Sequence, residues 1–141
     1  MTVYLSLGAN LGNREQTISR ATDLLRQLGT IAAVSDYFYS DPWGFESAHA
    51  FCNICLRMET TLSAPALLER TQAIERQLGR THKSADGHYS DRVIDIDLIR
   101  AFDQKGDEII ISSPELTLPH PLWEQRNFVV KPLSEVWHSL Y

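Results

Sequence analysis

Residues 51–62, FCNICLRMETTL, change character with every position. Successive side chains of a β-strand project to opposite faces, so this alternation predicts a strand whose even-numbered face is buried. Residues 63–79 then continue with a helical period, between a start at Ser63 and Pro65 and an end at Gly79. The stretch therefore predicts a strand followed by an amphipathic helix. The apolar row of the strand is Cys52, Ile54, Leu56 and Met58.

The N-terminal part of the chain repeats this order. Residues 2–8, TVYLSLG, have the composition of a strand, and the turn-rich GANLGN follows them. Asn13 is suited to cap a helix, with Gln16 completing a capping box. The glycines of this segment are interpreted as turn formers, because it contains no phosphate-binding glycine motif. Residues 31–40, IAAVSDYFYS, predict a second strand. The helical apolar residues are Ile18, Ala21, Leu25 and Leu28.

The C-terminal third begins with a further alternating run, DRVIDIDLI, at residues 91–99. A polar tip at 102–108 predicts a hairpin whose second strand is 108–112, EIIIS. Pro121 predicts a helix from Leu122 onward that carries Arg126 and Phe128. Two strand and helix units of this kind predict an α+β fold, a ferredoxin-like α/β sandwich with a mostly antiparallel sheet and helices packed on one face.

The 141 residues fit a single domain spanning 1–141. A net charge of −5 argues against a nucleic-acid partner. The sequence has no run of about 18 apolar residues and no signal-peptide pattern at its start, so we expect a cytoplasmic protein without a membrane partner. We also expect a monomer or weak dimer. Cys52 and Cys55 would point to opposite faces of one strand, which predicts two reduced cysteines rather than a metal or redox pair.

Asp95 and Asp97 are the most informative charged pair. They share the face of the strand opposite its isoleucines, with Cα atoms about 6.5 to 7 Å apart. Carboxylates at that spacing can converge on hard cations, and Mg²⁺ prefers one or two carboxylates together with water and phosphate oxygens. The alternative is a solvated strand face whose aspartates pair with Arg92 and Lys83.

Basic residues precede this pair in the long polar segment from Arg80 to Asp91. Such clustering beside carboxylates suits a polyphosphate, since arginines bind phosphate oxygens while metal ions neutralise the remaining charge. His120 and Arg126 could add to the same site. A solvated loop is the alternative. The basic residues within this segment are Arg80, His82, Lys83 and His88, and Arg92 follows it directly.

Phe51 and Asn53 share the other face of their strand, next to the aromatic segment DPWGF at residues 41–45. An amide between aromatic rings suits a flat heterocycle, because the amide matches donors and acceptors while the rings stack. The alternative is an asparagine that bonds only to the backbone and a phenylalanine at the sheet edge.

Several segments together resemble one family, the 6-hydroxymethyl-7,8-dihydropterin pyrophosphokinases of folate biosynthesis. They occur in order along almost the whole chain: SLGANLGNR, the Y-x-S-D-P-x-G and F-x-N patterns, LLERTQAIERQLGR, DRVIDIDLI and LPHPLWEQRNFVVKPL. The combination of R-x-IDID with PHP-x5-R-x-F is the specific part. The resemblance implies an enzyme that transfers diphosphate from ATP to the hydroxymethyl group of the pterin with two Mg²⁺ ions.

The resemblance also implies roles for individual residues. The implied metal ligands are Asp95 and Asp97, and Arg80 and Arg92 join them as catalytic residues. The implied ATP-binding residues are Gln72, Glu75, Arg80, Arg92, His120 and Arg126. The implied pterin-binding residues are Ser40, Asp41, Trp43, Phe51, Asn53 and Phe128.

Two other functions are compatible with parts of the sequence. A two-metal nucleotidyltransferase of the polymerase-palm type also places acidic residues on a strand of such a sheet, but it needs a nucleic-acid groove that a small acidic chain is poorly suited to form. A non-catalytic small-molecule-binding domain could use the same fold and aromatic pocket. It would not need paired aspartates beside a basic segment.

Overall fold

The computed structural model describes residues 1–40, 50–79 and 93–138. Its strands are β1 (Thr2–Ala9), β2 (Thr30–Val34), β3 (Phe38–Ser40), β4 (Phe51–Glu59), β5 (Asp95–Phe102), β6 (Ile111–Ser112) and β7 (Thr117–Leu118). Its helices are α1 (Arg14–Leu25), α2 (Ala64–Gln77) and α3 (Asn127–Val136), with a 3-10 turn at Trp123–Gln125. No helix within these three ranges is long and apolar enough to cross a membrane.

The main sheet has the order β2-β4-β1-β5, and β3 pairs with β4 beyond the end of β2. All its pairings are antiparallel, and β1 lies between β4 and β5. One unit consists of β1, α1 and the sheet edge formed by β2 and β3. The other unit consists of β4, α2 and β5. This arrangement confirms the predicted ferredoxin-like sandwich.

The two faces of the sheet have separate hydrophobic clusters. Val3, Leu5 and Leu7 of β1 are fully buried on the face that carries α1 and α2. Tyr4, Cys55 and Ile99 are buried on the opposite face, where they pack with Val129, Leu133 and Val136 of α3. The expectation that helices cover only one face was therefore wrong for α3, because Phe51, Asn53 and Cys55 on the odd-numbered face of β4 are buried, and only its end at Glu59 is exposed.

The cysteine prediction is confirmed. Cys52 belongs to the cluster under α1 and α2, and Cys55 belongs to the cluster under α3. Both are free and buried. Burial raises the pKa of the Cys55 thiol to about 12 and that of Cys52 to about 11, which keeps both thiols protonated and unreactive at neutral pH.

Side-chain caps start the first two helices where the sequence predicts. The Asn13 side chain accepts a hydrogen bond from the Gln16 N–H at 3.2 Å, and Ser63 accepts one from Ala66 N–H at 3.3 Å. Gly79 follows α2 with φ at +108°, a conformation that favours glycine. These local signals bring both helices back onto the same face of the sheet.

Residues 31–40 do not form one strand, as their composition predicts, but end β2 at Val34 and resume as β3 at Phe38. At the break the Ser35 N–H still donates to Cys55 O at 2.9 Å, but the Cys55 N–H donates to the Ser35 hydroxyl oxygen at 3.0 Å instead of to a backbone carbonyl. The next N–H, that of Asp36, donates to Glu135 of α3 at 3.0 Å. The ladder is therefore interrupted by side-chain partners that lie far away in sequence.

The predicted partner strand 108–112 returns to β5 only at its start. Glu108 bridges to Phe102, whereas Ile111–Ser112 pair with Thr117–Leu118 in a separate two-stranded sheet. The predicted C-terminal helix is likewise divided. Arg126 has extended backbone angles, φ −112° and ψ 107°, and it separates the 3-10 turn from α3, which carries Phe128.

Candidate active site

The site is built on one row of residues that crosses three adjacent strands, β4, β1 and β5. In the antiparallel register, Gly8 of β1 lies opposite Asn53 of β4 on one side and Asp95 of β5 on the other. Ser6 lies opposite Asp97 in the next row on the same face. Neighbouring strands are about 4.8 Å apart, so roughly 10 Å separate the backbones of Asn53 and Asp95.

These rows form the floor of a cleft of about 330 Å³, counted with its open mouth. Phe51 and Phe128 supply its aromatic surface, and the two aspartates supply its charge. The residues that line it are Ser6, Gly8, Phe51, Asn53, Asp95, Asp97 and Phe128.

Gly8 is a site residue that the sequence interpretation missed. A Cβ at this position would collide with Oδ1 of Asn53 and would lie 3.8 Å from the Phe51 ring. The absence of a side chain is therefore what allows the Asn53 amide to lie over β1. A glycine inside a strand often marks such a close approach, and that was the available signal.

The two aspartates destabilise each other as carboxylates. Burial raises the pKa of Asp97 well above its ordinary value, and the charge of Asp95 raises it further, while Arg126 opposes both effects. A cation between the two carboxylates would relieve this repulsion. In residues 1–40, 50–79 and 93–138, no cluster of three or more acidic, histidine or cysteine side chains could hold a metal ion alone. Carboxylate oxygens are a ligand type that Mg²⁺ takes together with water and phosphate oxygens.

Glu75 holds the strand that carries the aspartates. It is only 4% exposed on α2, and its Oε2 accepts the backbone N–H of Ile96 at 2.8 Å. Ile96 lies between Asp95 and Asp97, so this bond fixes the backbone from which both carboxylates project. Gln72 is partly exposed three residues earlier on the same helix.

His120 and Arg126 approach the acidic end of the cleft from the C-terminal segment. The His120 N–H donates to Ile99 O at 2.8 Å, and its Nδ1 accepts the Leu122 N–H at 3.2 Å. Burial lowers the pKa of His120 to about 4, Arg126 lowers it as well, and Asp95 acts in the opposite direction. His120 is therefore neutral at physiological pH. Arg126 is only 5% exposed, with its guanidinium carbon 5.7 Å from the Phe128 ring centroid.

The amide end of the cleft joins β3 and β4. Asn53 is 3% exposed, and its Nδ2 donates to Oγ of Ser40 at 3.4 Å, so the amide bonds to a side chain as well as lining the cleft. Phe51 and Phe128 line the cleft beside it. Four predicted site residues lie outside the part of the chain that the structure describes: Asp41, Trp43, Arg80 and Arg92.

Residues 4–138 match the family described as 7,8-dihydro-6-hydroxymethylpterin-pyrophosphokinase (HPPK). The chain is 47% identical over 136 residues to the 2-amino-4-hydroxy-6-hydroxymethyldihydropteridine pyrophosphokinase of Porphyromonas gingivalis, which covers 95% of this chain and 89% of the relative. The chain belongs to the HPPK family. The Bacillus subtilis protein of the same name is 36% identical over 135 residues, 94% of this chain and 76% of the relative. The folic acid synthesis protein FOL1 of Dictyostelium discoideum is 34% identical over 134 residues, 95% of this chain and 19% of the relative.

Membership of the HPPK family confirms the predicted reaction class. An HPPK is a diphosphotransferase of folate biosynthesis that uses ATP as co-substrate and hydroxymethyldihydropterin as acceptor. The two alternative functions, a polymerase-like nucleotidyltransferase and a non-catalytic binding domain, are not supported. The matched range of 4–138 contains every predicted site residue.

Proposed function

We propose that the diphosphate transfer takes place in the cleft on β1, β4 and β5, with the pterin at its amide end and the ATP phosphates at its acidic end. The observation that carries this assignment is the row of Asn53, Gly8 and Asp95 across the three strands. It puts a residue suited to recognise a heterocycle and a residue suited to hold cations on one floor. About 10 Å, two strand spacings, separates the backbone of Asn53 from that of Asp95.

The amide end has the chemistry that a pterin ring requires. Phe51 and Phe128 offer apolar ring surfaces, and the Asn53 amide, in a residue that is only 3% exposed, offers both a donor and an acceptor. An amide held in this way selects a ring edge with the complementary pattern, because a mismatched ring would leave buried polar groups unpaired. We propose that Ser40, Asp41 and Trp43 complete this pocket.

The acidic end would hold two Mg²⁺ ions through Asp95 and Asp97. When bound, Mg²⁺ supplies charge neutralisation to the ATP phosphates and makes the pterin hydroxyl easier to deprotonate. The chain itself fixes the two carboxylates, since Glu75 anchors the Ile96 N–H between them. Both carboxylates would then bind the metal ions from a strand whose backbone is already held in place.

Cationic and neutral donors would complete the phosphate site. Arg126 is buried beside Asp97, and its charge acts on both Asp97 and His120. We place Arg80 and Arg92 on the phosphates as catalytic residues, because guanidinium groups bind phosphate oxygens in a bidentate manner. Neutral His120 would add a hydrogen bond without adding charge. Gln72 and Glu75 are proposed on the nucleotide side, with Glu75 acting through β5.

We further propose that residues 1–141 form a single domain that acts in the cytoplasm as a monomer or weak dimer. Light scattering coupled to size-exclusion chromatography at increasing protein concentration would measure the oligomeric state.

The test is to incubate the protein with ATP, Mg²⁺ and 6-hydroxymethyl-7,8-dihydropterin and to measure AMP. We expect AMP to form only when the pterin is present, together with one equivalent of pterin diphosphate. Asp97→Asn should abolish this release, whereas Asp107→Asn, a change at an exposed aspartate in the β5 tip, should not. AMP release that continues in Asp97→Asn would contradict the metal assignment.

A further inference from the structure

The first turn of α1 reaches across to the start of β4. Nη1 of Arg14 donates to the carbonyl oxygen of Ala50 at 2.8 Å, although the two residues are 36 positions apart. The Arg14 guanidinium carbon also lies 5.3 Å from the ring centroid of Tyr39 in β3. Its side chain is 28% exposed, so this contact is partly shielded from water. One arginine therefore joins a helix and two strands.

Arg14 occupies a position where a cation is unfavourable for the helix. The N-terminus of a helix carries partial positive charge, and acidic residues are preferred there. Glu15 offsets part of this cost, since its carboxylate lies 3.6 Å from Nη2 of Arg14. A residue that breaks a local preference usually serves a contact elsewhere, and here that contact is the Ala50 carbonyl.

Glu15 and Tyr39 extend the contact into a small network. The Tyr39 hydroxyl donates to Oε1 of Glu15 at 3.0 Å, and this hydrogen bond is the main reason that the pKa of Tyr39 is raised to about 12. Tyr39 in turn lies opposite Cys52 in the β3 and β4 register. The network thus holds α1 against the end of β3 and the start of β4, on the face of the sheet opposite the cleft.

Ala50 is the residue directly before Phe51, which opens β4 and lines the cleft. Phe51 also lies opposite Ser40, whose hydroxyl accepts the Asn53 amide. A shift of the Ala50 carbonyl would therefore move the Phe51 ring relative to the Asn53 side chain. The acidic end of the cleft lies on β5, on the far side of β1, and would be affected much less.

We propose that Arg14 is a positioning residue for the pterin pocket: by holding the Ala50 carbonyl, it sets the place and angle at which Phe51 enters the cleft. This inference rests on the proposed placement of the pterin at Phe51 and Asn53. Arg14 does not contact the substrate in this scheme. It acts on pterin affinity through the backbone that carries one of the aromatic walls.

The test is a comparison of steady-state kinetics for wild type, Arg14→Ala, Arg14→Lys and Arg20→Ala. Arg14→Ala should raise the KM for the pterin about tenfold, which corresponds to about 1.4 kcal/mol and lies near the worth of a charge-assisted hydrogen bond. The KM for ATP and the kcat at saturating substrates should stay close to those of wild type. Arg14→Lys can still donate one hydrogen bond and should recover part of the loss. Arg20 is exposed on the same helix, so Arg20→Ala is the matched control.

Two further measurements separate positioning from a general loss of folding. Thermal unfolding of each variant identifies any that are unstable at the assay temperature. Tyr39→Phe leaves Arg14 in place but removes the bond to Glu15, and it should raise the same KM by a smaller factor. Equal pterin KM values for Arg14→Ala and Arg20→Ala would overturn the inference, as would parallel changes in both KM values. Absence of pterin-dependent AMP release from wild type would instead overturn the proposed function.

Discussion

Gly8→Ala should damage pterin recognition more than any other single-methyl addition in the described cleft. The new Cβ would collide with Oδ1 of Asn53, which is 3% exposed and has little room to move. Displacing the amide would break its hydrogen bond to Ser40 and turn its donor and acceptor away from the ring. The neighbouring Phe51 ring would be 3.8 Å from the new atom, an ordinary contact, so the clash falls on Asn53.

The magnitude follows from two separate costs. Overpacking in a well-packed site typically lowers the free energy of unfolding by about 1 to 3 kcal/mol. Loss of one or two hydrogen bonds to the pterin, each with a partner left unpaired, costs about 1 to 3 kcal/mol in binding. The pterin KM should therefore rise by about 5- to 150-fold. The KM for ATP should change little, since the three atoms nearest to the new Cβ belong to Asn53 and Phe51 and none belongs to Asp95 or Asp97.

The assay is a double-mutant cycle with Asn53→Ala. In that background the side chain that meets the new Cβ is absent, so Gly8→Ala should add almost nothing to the rise in pterin KM. Interacting neighbours show such non-additivity, whereas independent sites add within about 0.3 to 0.5 kcal/mol. Additive costs across the cycle would refute the proposal that Gly8 acts by making room for Asn53.

Three more predictions concern the acidic end of the cleft. Asp97→Asn should raise the thermal midpoint in the absence of metal ions, because burial and the charge of Asp95 disfavour the Asp97 carboxylate and raise its pKa. Mg²⁺ should stabilise wild type but not this variant, and differential scanning fluorimetry would measure both effects. The lowered pKa of His120 means that its contribution to stability is present above the unfolded value of about 6.5 and is lost as the pH falls toward 4. Urea denaturation should therefore show a smaller loss over that interval for His120→Asn than for wild type, and equal losses would contradict the assignment. Glu75→Leu should lower the free energy of unfolding by about 1 to 3 kcal/mol by leaving the Ile96 N–H unpaired, whereas Glu75→Gln, which keeps an acceptor, should lose less.

Local patterns were sufficient for the parts of the fold that depend on neighbours in sequence. The alternation of β4 and β5 identified the strands and the shared face of Asp95 and Asp97, and the caps at Asn13 and Ser63 identified the starts of two helices. These features depend on residues at most four positions apart. The same alternation predicts that Phe51 and Asn53 share one face of β4, and both line the cleft.

The features that were missed depend on contacts between distant segments. The break between β2 and β3 follows from bonds of Ser35 and Asp36 to Cys55 and Glu135. The role of Gly8 follows from the register of β1 with β4, which determines that Asn53 and no smaller residue lies opposite. No periodicity within a segment encodes such pairings, because the partner of each residue is decided only when the strands align.

The position of the cleft follows from a change of side-chain size along one face of the sheet. On that face β1 presents Tyr4, then Ser6, then Gly8, and the side chains shrink toward the end of the strand that carries Asn53 and Asp95 as neighbours. Where the side chains are large, Tyr4 packs with Ile99 and Cys55 beneath α3 and excludes water. Where they are small, α3 has little to pack against, and the same face opens into the cleft.

Arg126 and Phe128 stand at this boundary, just before and within the first turn of α3. The Phe128 ring therefore packs beside the buried cluster and also lines the cleft. The apolar core thus holds in place a wall of the polar site. Enlarging Gly8 would narrow the cleft at the Asn53 amide, whereas enlarging Ser6 would also press on Cys55 of the cluster beneath α3, which lies opposite Ser6 on β4. The smallest residues of β1 would therefore determine how open the cleft is.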